Sequence, residues 1–316
     1  MLGPTLFVLG DGRQIAPFHI APWFERDLPP DQPGILRRLR GEWPCVPFGI
    51  AVDRPAAAGW PASVADQEPD PAPHGFGSNH PWRWTAAEAG ELALAIDYPA
   101  SHPIAGLERR IVPIDGSPAI DFELAINVRA DCTLPIGLHP VFRLPTTPGT
   151  AHLQATAKAW ATLPGQVDAS SLFAPGQLED AGRPVRTGGG GVIDPFLLPF
   201  RQPSEDLLQL LGTDGRASLH NRCEGYRVTL DWNARHFPDL LLWLSLQGRR
   251  DPPWDGRHLA LGVEPVCAAF DLGSQISAQQ NPLSARGTPT ARSFRSGERF
   301  VTRYRVTVEA ADRDGS

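Results

Sequence analysis

One pattern limits the fold of this chain more than any other: apolar and polar residues alternate with a period of two, again and again. In A-I-D-F-E-L-A-I-N-V (119–128), Ile120, Phe122, Leu124, Ile126 and Val128 fall on one side and Asp121, Glu123 and Asn127 on the other. Successive side chains of a β-strand point to opposite faces, so this is the signature of a strand with one dry and one wet face. E-L-A-L-A-I-D-Y (91–98), L-E-R-R-I-V-P-I (107–114), Y-R-V-T-L-D-W (226–232), L-L-L-W-L-S-L (240–246) and F-V-T-R-Y-R-V-T-V (300–308) extend the pattern. The 34 prolines and 31 glycines are spread along the chain, as turns between many short strands require. Only S-E-D-L-L-Q-L-L (204–211) reads as helical, with Ser204 as N-cap and Glu205 and Asp206 in the first turn. The segments 53–73 and 180–191 read as loops. The expectation is an all-β chain, a large antiparallel β-sandwich forming one domain over residues 1–316.

Composition narrows the partners. There are 29 Lys and Arg against 35 Asp and Glu, and no dense basic run, so the chain has no general attraction for nucleic acid or anionic membrane. No segment approaches the roughly 18 apolar residues of a membrane-spanning helix. The N-terminal stretch lacks the basic region of a signal peptide. Cys45, Cys132, Cys223 and Cys267 form no C-x-x-C pair and read as reduced thiols in a cytoplasmic protein. A small neutral substrate and a monomer or homodimer are expected, with no cofactor or metal.

Two ionisable residues interrupt apolar runs. His139 lies in G-L-H-P-V-F-R-L-P (137–145), where it reads equally as a packed core residue or an acid-base group. Glu264 lies in L-A-L-G-V-E-P-V (259–266). A carboxylate there is costly to bury, so it either pairs with an arginine or sits in a cleft as a general base. The segment P-H-G-F-G-S-N-H-P-W-R-W (73–84) adds His74 and His80 beside glycines that permit a tight bend, and Trp82, whose indole could carry the C–H face of a sugar. His19, His102, His152, His220, His236 and His258 read as ordinary half-exposed side chains. A metal site from His74, His80, His139 and Glu264 is conceivable by residue type, but their spacing matches no metal motif. Phosphate-cradling and serine-nucleophile motifs do not occur.

The order of these pieces resembles the aldose 1-epimerase, or galactose mutarotase-like, family. L-R-G-E-W-P-C-V-P-F-G (39–49) is similar to the R-G-G-I-P-x-x-x-P-x-F-G segment of the hexose-6-phosphate mutarotase branch, with Arg40 at the arginine. H-G-F-G-S (74–78) is similar to that branch's H-G-F-A-R. G-V-I-D-P-F-L-L (191–198) resembles a segment with a substrate-binding aspartate, here Asp194, and V-E-P (263–265) resembles the catalytic glutamate segment.

This resemblance implies a galactose mutarotase-like supersandwich that interconverts the α and β anomers of a hexose. It implies Glu264 as base, His139 as acid, and His74, Asp194 and Arg40 as sugar contacts; Trp82, from its indole, and His80, which has no family counterpart, are additional candidates. Two departures bear on the substrate. Ser78 replaces the arginine of H-G-F-A-R, and Glu42 introduces an acid next to Arg40, so a neutral sugar is expected rather than a phosphate. The alternatives are a non-catalytic carbohydrate-binding protein on the same fold and a hexose-6-phosphate mutarotase. A polysaccharide lyase would need a tyrosine base among cations, and Tyr98, Tyr226 and Tyr304 form no such cluster in the sequence.

Overall fold

The structure is a computed structural model describing residues 1–88 and 90–312. Two large antiparallel sheets dominate it. The nine-stranded sheet runs, in spatial order, Leu197–Leu198, Ala151–Ala155, Arg216–Asn221, Tyr226–Trp232, Arg299–Ala310, Ala119–Val128, Ile104–Pro113, Glu91–Asp97 and Arg83–Glu88. The eight-stranded sheet runs Leu178–Asp180, Ala159–Thr162, Ser204–Leu211, Asp239–Leu246, Leu259–Cys267, Ile136–Leu138 and Pro44–Cys45, with Val141–Arg143 also paired to Leu259–Cys267. No helix among the described residues is long and apolar enough to cross a membrane.

Of the six alternating segments, 91–98, 107–114, 119–128, 226–232 and 300–308 form strands of the nine-stranded sheet as their pattern requires, whereas 240–246 lies in the eight-stranded sheet and is buried throughout. Ile120, Phe122, Leu124, Ile126 and Val128 are buried in the core between the sheets. Their polar neighbours face outward and meet opposite charges directly across the ladder. Asp121 is in register with Arg305 and Glu123 with Arg303, and both pairs are hydrogen-bonded. Such cross-strand pairs add modestly to sheet stability and help fix the register.

The eight-stranded sheet is built differently, because both of its faces are covered. Leu208, Leu210, Leu240, Leu242, Leu244 and Val263 pack into the inter-sheet core. Leu207, Leu211, Leu241, Trp243 and Val266, on the opposite face, pack into a second cluster with Trp23, Trp43, Trp254 and Phe270. A strand buried on both faces has no wet side and so no alternation to read. This corrects the helix expected at 204–211: Ser204–Leu211 is a strand, and all eight of its residues are buried. Its apparent capping residues are internal hydrogen-bond acceptors. The Asp206 carboxylate takes the backbone N–H groups of Leu172 and Phe173, and Glu205 takes donors from the neighbouring strand. The segment 180–191 also contains a short strand, Val185–Arg186, paired with Val192–Ile193.

Candidate active site

The site lies on the outer face of the eight-stranded sheet, among the second apolar cluster. Glu264 belongs to the Leu259–Cys267 strand and stands opposite Leu241. Its side chain shares this face with Ala260 and Val266. Gly262 makes room for it: a Cβ there would lie 2.2 Å from Glu264 Oε1 and 2.9 Å from Trp243 Cβ. His139 lies just beyond the Ile136–Leu138 strand. Its backbone N–H donates to Trp43 O (2.8 Å), and the Val263 N–H donates to Pro140 O (2.9 Å), which ties the histidine segment to the glutamate strand. The imidazole stacks on Trp43 with ring centroids 4.2 Å apart.

These constraints bring His139 Nε2 to 3.4 Å from Glu264 Oε1. The two residues are 4% and 1% exposed. Hence the sequence alternatives for His139 and Glu264 resolve into a shared pocket, with the carboxyl paired to the imidazole rather than to an arginine.

His74 completes the group through an unusual backbone. It has φ 57°, which a non-glycine residue seldom adopts, and it is followed by Gly75 at φ 82°. A Cβ on Gly75 would come within 2.3 Å of Val46 O, so only glycine fits. The bend is held by His74 N–H donating to Gly49 O (2.7 Å) and by Ser78 Oγ donating to His74 O (2.6 Å). It turns the ring edge-on to His139, with centroids 5.2 Å apart.

The three side chains line a cavity of about 240 Å³, which also receives Asp271, Arg249, Trp243 and Trp254. The volume is a little below the roughly 300–1,000 Å³ common for drug-sized ligands and suits a smaller molecule. A larger surface hollow of about 720 Å³ lies by the N-terminal segment, but aliphatic residues such as Leu6 and Val8 line it and no histidine does. Near the smaller cavity, His74 Nδ1, His139 Nδ1 and Glu264 Oε1 are buried without a hydrogen bond to any described residue.

Burial sets the protonation of the pair. It pushes the Glu264 carboxyl well above the usual carboxylate range, and nearby Asp271 pushes it further. It pushes the His139 imidazole well below 6.5, with His74 adding to the effect. Burial likewise lowers His74 to about 4. Burial thus favours the uncharged form of each group, a protonated carboxyl beside a neutral imidazole. That state has as many protons as a carboxylate beside an imidazolium, and the two forms differ by one proton moved between neighbouring atoms. Burial also raises the Asp271 carboxyl, against the pull of Arg54 and Arg249.

Four expected site residues lie outside the cavity lining, each engaged locally. The Arg40 guanidinium covers the Phe24 ring at 4.5 Å. The Trp82 indole N–H donates to Gly77 O (2.8 Å). His80 is exposed and stacks on Phe76 at 3.7 Å. Asp194 is exposed, and its carboxylate accepts the Phe196 N–H (2.9 Å) in a tight turn. Glu42 also departs from expectation. It is fully buried, pairs with Arg109 and accepts the Tyr304 hydroxyl at 2.5 Å, so its charge is met away from the cavity. Of the histidines expected to be half-exposed, His19, His102 and His258 are buried.

Asp271 and Arg249 were missed. Asp271 follows the apolar run C-A-A-F and is detectable by the rule that singled out Glu264. Arg249, in a polar Q-G-R-R-D stretch, carries no such signal.

No family sequence model matches the chain, and a search of curated proteins finds no match. Solved structures do match. The Slr1438 protein from Synechocystis sp. PCC 6803 aligns over 95% of this chain and 86% of its own, at 15% identity and a TM-score of 0.61. A candidate aldose 1-epimerase from Escherichia coli K12 aligns over 88% and 86%, at 17% identity and a TM-score of 0.57. A galactose mutarotase-like protein from Clostridium acetobutylicum aligns over 84% and 77%, at 11% identity and a TM-score of 0.52. At such identities the likeness is one of architecture, and it agrees with the sheets described above: the chain has the galactose mutarotase-like β-sandwich fold.

Proposed function

We propose that this protein is an aldose 1-epimerase that interconverts the α and β anomers of an uncharged hexose by proton transfer through Glu264 and His139. The observation carrying this reading is the 3.4 Å approach of a buried carboxyl to a buried imidazole beside a small, aromatic-walled cavity. Anomer exchange needs one group to remove the O1 proton and another to protonate the ring oxygen. As the C1–O5 bond breaks, C1=O1 forms. Rotation about C1–C2 and closure on the other face reverse the transfers. With Glu264 as carboxylate and His139 as imidazolium, ring opening moves a proton from O1 to Glu264 and one from His139 to the ring oxygen. This leaves Glu264 protonated and His139 neutral, the form that burial favours and the form needed for closure. No proton enters or leaves over the full cycle. Each positioned group contributes about 10²–10⁴-fold.

His74 and Asp271 supply polar contacts to sugar hydroxyls, and the Trp243 and Trp254 rings offer apolar faces to the sugar C–H groups. The test is polarimetry on freshly dissolved α-glucose and α-galactose. The expected result is a decay of optical rotation that accelerates in proportion to enzyme concentration. A decay equal to the spontaneous one for every common aldose contradicts the reading. Calorimetric binding of the same sugars without turnover would instead point to a carbohydrate-binding protein.

A further inference from the structure

Among the described residues that line the cavity, Arg249 is the one Lys or Arg. An unpaired guanidinium in such a place would recruit a phosphate, whose oxygens match its donor fork. Here the guanidinium is already engaged. Its Nε lies 3.1 Å from Glu205 Oε1, and its face lies 4.6 Å over the Trp254 ring.

Glu205 is itself wholly buried, on the strand beneath the cavity and in register with Ser245. Its carboxylate accepts Trp243 Nε1–H at 2.6 Å and Ser245 Oγ–H at 2.9 Å. Ser245 Oγ in turn lies 2.8 Å from Nδ1 of the buried His258. Burial raises the Glu205 carboxyl above its ordinary 4.5, while Arg249, Trp243 and Ser245 oppose that rise by favouring the carboxylate. Glu205 therefore does two things at once: it locks the Trp243 wall and neutralises Arg249 from behind. The cavity's two acidic residues are Glu264 and Asp271.

We propose that Glu205 is a specificity-determining residue: by engaging Arg249 from beneath the cavity, it makes the site select uncharged sugars over their phosphate esters. This rests on the sugar-site reading above, but concerns binding rather than turnover. A phosphoryl group entering the cavity would be desolvated near acids while Arg249 was already compensated. Hydroxyls could still accept from the guanidinium's terminal nitrogens.

The test is calorimetric titration with glucose, galactose and their 6-phosphates. The wild-type protein is expected to bind each free sugar at least about tenfold more tightly than its phosphate, the scale of one charge-assisted hydrogen bond. Glu205→Gln keeps an acceptor for Trp243 but removes the charge, and is expected to tighten phosphate-ester binding about tenfold. The double variant Glu205→Gln/Arg249→Gln is expected to lose that gain. A wild type that prefers the esters, that binds neither sugar form, or whose preference is unchanged by Glu205→Gln overturns the proposal. Should Glu205→Gln not fold, the wild-type ratio decides. Sugar binding with the expected ratio but no anomer exchange contradicts the catalytic reading alone, and turnover of free sugars with tighter ester binding contradicts this one alone.

Discussion

In the proposed mechanism, the chemistry depends on a single proton shared by two buried residues. Burial holds His139 below its ordinary 6.5 and Glu264 above its ordinary 4.5. Acid adds a second proton to the pair only below the usual histidine range, and alkali removes the last only above the usual carboxylate range. The singly protonated pair, the form the proposed mechanism uses, should therefore persist across neutrality. The expected kcat/KM profile is flat from about pH 6.5 to 7.5, falling in stronger acid and in alkali. A fall of about fivefold across that interval, as the titration of an ordinary imidazole gives, would contradict the account. Both residues were legible in the sequence because each is a lone ionisable group in an apolar run, and desolvation demands a reason for it. Arg40 and Asp194 were selected by likeness to motifs. A motif fixes the order of residues along the chain but not the direction of a side chain, and both turn to local partners instead.

Individual elements hold these groups at the required angles, and the His74–Gly75 bend does so under the tightest constraint. Gly75→Ala would combine a positive φ with a clash against Val46 O, and is expected to cost about 1–3 kcal/mol in urea unfolding and to lower kcat/KM. Gly116→Ala, also at positive φ but with open space around it, is expected to cost about 1 kcal/mol and leave kcat/KM unchanged. Equal effects of the two substitutions on kcat/KM would contradict a role for the bend in placing His74. The elements also divide by how readily they could be read. Strands of the nine-stranded sheet declare themselves because water on one face enforces alternation. Ser204–Leu211 does not, because the site-bearing cluster covers its second face and replaces the polar half of the pattern with Leu207 and Leu211. The sheet that carries the site was thus the harder one to see.

Across the whole molecule, a buried polar cluster links the two sheets. Arg109 and Tyr304 come from the nine-stranded sheet, while Glu42 precedes the edge strand of the eight-stranded one. Glu42→Ala leaves the Arg109 charge buried without its acid and is expected to cost about 3–5 kcal/mol in denaturant unfolding. A cost below about 1 kcal/mol would mean that Tyr304 alone satisfies the guanidinium. The sandwich holds two groups far apart along the chain, Glu264 on a strand and His139 just beyond one, at one cavity, and catalysis is the claim built on that convergence. Magnetisation-exchange NMR between the α and β anomeric protons of equilibrated glucose or galactose reads it directly, comparing the wild-type protein with Glu264→Gln and His139→Gln. The account predicts enzyme-dependent exchange in the wild type and a loss of about 10²–10⁴-fold in each variant. Exchange that persists at the wild-type rate in either folded variant would contradict it.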